Sequence, residues 1–76
     1  MTDLDAAADN YRAALFALQE ADANRTITYA AHKAAGSDRT RTAHYQAATI
    51  SAQARRHLEH TADQLVAAAL QHTCQA

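Results

Sequence analysis

Five histidines in 76 residues, His32, His44, His57, His60 and His72, are the side chains of this chain whose type and spacing invite a metal ion. A closed zinc site needs four ligands of suitable geometry. His57 and His60 stand three apart, and His32 and His44 lie on either side of the turn at Gly36, one on each seam, but neither pair has an evident third and fourth ligand. The Glu-x-x-His pattern of metal-binding helical bundles is also absent, because "RRHLEHTAD" runs the glutamate and histidine in the wrong order. No metal and no cofactor is therefore expected. Cys74, the single cysteine, sits near the carboxyl end, where no positioned base or pocket is expected to activate a thiol. With no glycine-rich phosphate loop and no plausible nucleophile and base, the reading is that the protein is not an enzyme.

Phosphate recognition is the second chemistry on offer. Lys33, Arg39 and Arg41 surround "AAGSD", with Arg55 and Arg56 further on, and the five form a candidate contact set for nucleic acid or for an acidic protein surface. A helix starting after Gly36 would add free amides and the hydroxyls of Ser37, Thr40 and Thr42. Read as a helix-turn-helix with Gly36 as the turn glycine, however, the chain has His32, Ser37 and Thr42 where small or apolar residues belong. A net charge of −1 further weakens the general pull on a polyanion.

The elements that must position these residues are helices. Alanine fills 22 of the 76 positions, against one glycine and no proline, so both interior breakers are nearly missing. Thr2 and Asp5 form a capping-box-like start, and Gly36 followed by Ser37 and Asp38 reads as one helix end and the next beginning. The expectation is a single domain over residues 1–76, with a helix over about 3–35, a turn at about 36–37 and a helix over about 38–72. "NRTIT", residues 24–28, is the weak stretch, because Asn24 and three β-branched residues lower helix propensity; a break there would give three helices.

Steps of three and four residues trace one seam on each helix. The first runs Leu4, Ala7, Tyr11, Ala14, Leu18, Ala21, Arg25, Thr28, His32 and Ala35; the second runs His44, Ala47, Ser51, Ala54, Leu58, Thr61, Leu65, Ala68 and His72. Small residues once per heptad allow close approach of two axes, and a short turn makes the helices antiparallel neighbours. The fold class is thus all-α, an antiparallel two-helix hairpin with long alanine-rich arms. A second stripe on each arm includes Phe16 and Ile27 on the first helix and Tyr45 and Val66 on the second. These four are the candidate dimer interface, because a lone hairpin has no third layer to cover them, and pairing into a four-helix bundle is expected.

Charge is segregated along the chain: residues 1–24 carry a net −4, residues 25–57 a net +5, and the remainder −2. Folded as a hairpin, the rod has an acidic end at the termini and a basic end at the turn. Two copies with turns at opposite ends match unlike charge, so an antiparallel homodimer is expected. In outline such a bundle resembles the plasmid copy-number regulators that dimerise as hairpins and bind RNA, and each hairpin resembles the WXG-type secreted proteins. The Trp-x-Gly turn of the latter is missing, the turn here reading "AAGSDR". The functional expectation is a small protein–protein interaction module, an adaptor or inhibitor acting on a larger partner; the alternative is a nucleic-acid-binding regulator. No apolar run exceeds six residues and the acidic amino end lacks a secretory pattern, so no membrane contact and a cytoplasmic location are expected.

Overall fold

In the computed structural model, which describes residues 2–75, α1 spans Asp3–Ala35 and α2 spans Asp38–Gln75. The two lie side by side as an antiparallel hairpin with principal-axis extents of 58 × 15 × 13 Å. No strand occurs among the described residues.

Each helix starts on a reciprocal cap. The Asp5 amide donates to Thr2 Oγ1 at 3.2 Å while the Thr2 amide donates to Asp5 Oδ2 at 3.3 Å. At α2 the same exchange uses a threonine in place of the acid: the Thr40 amide donates to Ser37 Oγ at 3.2 Å, and the Ser37 amide to Thr40 Oγ1 at 3.2 Å. Two otherwise unmatched donors are satisfied at each start, and Asp3 and Asp38 add negative charge where the helix dipole is positive. Between the helices, Gly36 adopts the left-handed conformation (φ 64°, ψ 19°), and its amide donates to the His32 carbonyl at 2.7 Å. A side chain there would strain the backbone, which is why the chain's one glycine stands at its one sharp reversal.

α1 is continuous through "NRTIT". Two of its β-branched residues contribute locally: Thr26 Oγ1 donates to the Asp22 carbonyl at 3.1 Å and Thr28 Oγ1 to the Arg25 carbonyl at 3.0 Å. Thr28 also faces α2, so packing holds a turn whose intrinsic propensity is weak.

The core is the small-residue seam. Ala7, Ala14 and Ala21 of α1 are buried against Ala47, Ser51 and Thr61 of α2. The larger seam residues, Leu4, Tyr11, Leu18, Leu58 and Leu65, are half-buried and border these contacts. Burying one methyl-sized group contributes about 0.8 kcal/mol, against about 1.5–3 kcal/mol for a whole leucine or phenylalanine. No leucine, isoleucine or phenylalanine is fully buried. Phe16, Ile27, Tyr45, Ile50, Val66 and Leu70 are all more than half exposed. The hairpin therefore closes on its small side chains and leaves its largest apolar ones in water.

Candidate functional site: two unlike flanks and a polar crossing

Ser51 is the central polar feature of the seam. At 3% exposure its hydroxyl has no water to turn to, and it donates to Asp22 Oδ1 across the helix pair. Asp22 also faces Arg25, 3.8 Å away on its own helix, and Arg55, 3.6 Å away on α2. One carboxylate thus serves a buried hydroxyl and two guanidinium groups, close to the middle of the rod. Arg25, due on the seam by spacing, is exposed and turned towards this carboxylate.

Nearer the turn, four rings gather. His32 and His44 face each other across the hairpin with centroids 6.4 Å apart and planes 7° from parallel. Tyr29 tilts against His44 at 5.3 Å, and Tyr45 lies 6.2 Å from the same ring. Lys33 Nζ stands 5.5 Å over the Tyr29 ring, a cation–π distance. Thr28 Oγ1 lies 3.5 Å from His44 Nδ1, whereas His32 Nδ1 is buried with no hydrogen-bond partner. His57, His60 and His72 are exposed elsewhere on α2. Among the described residues no three His, Cys, Asp or Glu side chains gather as metal ligands.

The five candidate cations do not form one patch. Lys33, Arg39 and Arg41 cluster at the turn end, while Arg55 and Arg56 stand fourteen or more residues along α2, at least about 20 Å away at 1.5 Å per residue. Arg41 is bound to Asp38 at 2.7 Å and Arg55 faces Asp22, and the Ser37 and Thr40 hydroxyls are engaged with each other in the cap. Arg39 and Arg56 are exposed.

Helical phase sorts the rest of the surface into two flanks beside the seam. One flank, marked by the Asp22–Arg55 crossing, brings Leu15 and Tyr29 of α1 to the side of Ala48, Ala62 and Ala69 of α2. Apart from Tyr29, which is about half exposed, these apolar residues are half-buried. The opposite flank presents Asn10, Ala17, Asn24, Ile50, His57, Gln64 and Gln71, all exposed, with a shallow groove between Asn10 and Gln64.

The candidate interface residues divide accordingly. Tyr45 and Val66 lie at the outer edge of the apolar flank, on α2. Phe16 is two residues, about 200°, from buried Ala14 and points away from α2, and Ile27 lies at the back of α1 towards the polar flank. A single flat partner does not cover all four.

No protein family's sequence profile matches this chain, and no curated protein and no solved structure matches it either. Its class is accordingly set by its own geometry, an all-α helical hairpin. No helix among the described residues is long and apolar enough to cross a membrane.

Proposed function

We propose that this protein is a non-enzymatic protein–protein interaction module that works as a homo-oligomeric helical bundle, offering the bundle's surface to a larger protein partner as an adaptor or inhibitor. The observation that supports it is the inversion of its apolar side chains: alanines, Ser51 and Thr61 fill the seam while Phe16, Ile27, Tyr45 and Val66 stand 59–66% exposed. Such side chains gain most by meeting another protein layer. A body 15 × 13 Å across has little interior in which to sequester a substrate, and this favours binding over catalysis.

Sedimentation equilibrium across the micromolar range is the test. The expected mass is a multiple of the 8.2 kDa chain, rising with concentration towards that of a dimer. A folded, cooperatively melting monomer at every concentration would overturn the reading. DNA or RNA binding that weakens steeply with salt, and is lost in the double variant Arg39→Ala with Arg41→Ala, would replace it with a nucleic-acid regulator.

A further inference from the structure

We infer that the apolar flank bearing Leu15, Ala62 and Val66 is a docking face for a second copy of this chain, laid antiparallel with the two turns at opposite ends. The inference rests on the proposed self-association and adds the face, the orientation and the axis.

Three observations choose the face and its occupant. The first is polarity: the opposite flank sets Asn10, Asn24, His57, Gln64 and Gln71 around Ala17 and Ile50, whereas on this one the polar groups are the Asp22, Arg25 and Arg55 cluster and, at the outer edge, Glu59. The second is shape. Between the termini and the centre the flank carries Ala8, Leu15, Ala62, Val66 and Ala69; between the centre and the turn it carries Tyr29 and Tyr45 beside Ala48. A two-fold axis near Asp22 and Arg55 sets the tyrosines of each copy over the shorter side chains of the other's terminal half. The parallel arrangement would oppose tyrosine to tyrosine.

Charge is the third. Asp3, Asp5 and Asp63 lie towards the termini, and Lys33, Arg39 and Arg41 lie at the turn, so the antiparallel pair sets unlike charge together at both ends. The area is adequate, because a strip as long and wide as the rod, 58 by 15 Å, is of the order of the ~800 Å² per partner that stable complexes bury.

Exposed Cys74 supplies a reporter near one end of the rod. It stands nineteen residues beyond Arg55, so nitroxide labels on the two copies of an antiparallel dimer are expected about 55 Å apart by pulsed electron spin resonance. Labels within about 25 Å would show parallel pairing and overturn the orientation. Val66→Arg, on this face, is expected to raise the dimer dissociation constant by at least about tenfold, while Ala17→Arg, on the other flank, leaves it unchanged. Circular dichroism confirms that both variants remain helical. A dimer that survives Val66→Arg and is lost in Ala17→Arg would overturn the face yet leave self-association standing; a monomeric parent protein would remove both.

Discussion

The buried hydroxyl of Ser51 has a single interhelical partner, Asp22, and that partner is held in place by two arginines. Ser51→Ala removes the bond without adding volume, so it is expected to lower stability by about 1–2 kcal/mol, because the acceptor is charged. Urea denaturation reads this as a lower midpoint at unchanged slope, and an unshifted midpoint would contradict it. His32 presents the opposite case. Its Nδ1 is buried without a partner, a defect that costs about 1–3 kcal/mol in comparable settings, so His32→Leu is expected to raise the urea midpoint. A fall would show that the stacked imidazoles contribute more than the orphaned nitrogen costs.

At the scale of the helices, close approach depends on side chains no larger than a methyl or hydroxymethyl group. Ala47→Leu, at a buried position of the seam, is expected to cost about 1–3 kcal/mol by forcing the axes apart, while Ala23→Leu on the exposed back of α1 shifts stability by less than about 0.5 kcal/mol. Thermal melts followed by circular dichroism separate the two. This seam was legible in advance, because a lone glycine, no proline and steps of three and four leave few other ways to fold the chain. The Thr2–Asp5 cap was legible for the same local reason. What escaped was everything that depends on two elements at once. Nothing near Ser51 in the chain points to Asp22, twenty-nine residues earlier, and Thr40 as cap partner departs from the usual acid or amide. The candidate interface residues divide between faces for a related reason: Phe16 and Tyr45 are each apolar and off the seam, but their faces are fixed by the phase of both helices together.

For the whole molecule, apolar burial is expected to hold the copies together and charge to orient them. Exposed ion pairs are worth about 1 kcal/mol or less, and at 1 M salt the screening length falls to about 3 Å. Raising salt to that level is therefore expected to change the dissociation constant by less than about tenfold in sedimentation. Dissociation on adding salt would show that charge, and not the flank, carries the association.

The small residues of the seam recur every seven positions on both helices, and such a pattern is nearly blind to sliding: moving α2 along α1 by one heptad, about 10.5 Å, would again set small against small. Two things stop the slide. One is the two-residue connection through Gly36 and Ser37; the other is the crossing from Ser51 to Asp22, a notch that fits at one setting of an otherwise uniform ruler. A longer connection would leave that single notch to choose among several nearly equal alignments. The same repeat that lets the two rods lie so close makes the hairpin, without its notch, a slide with more than one stop.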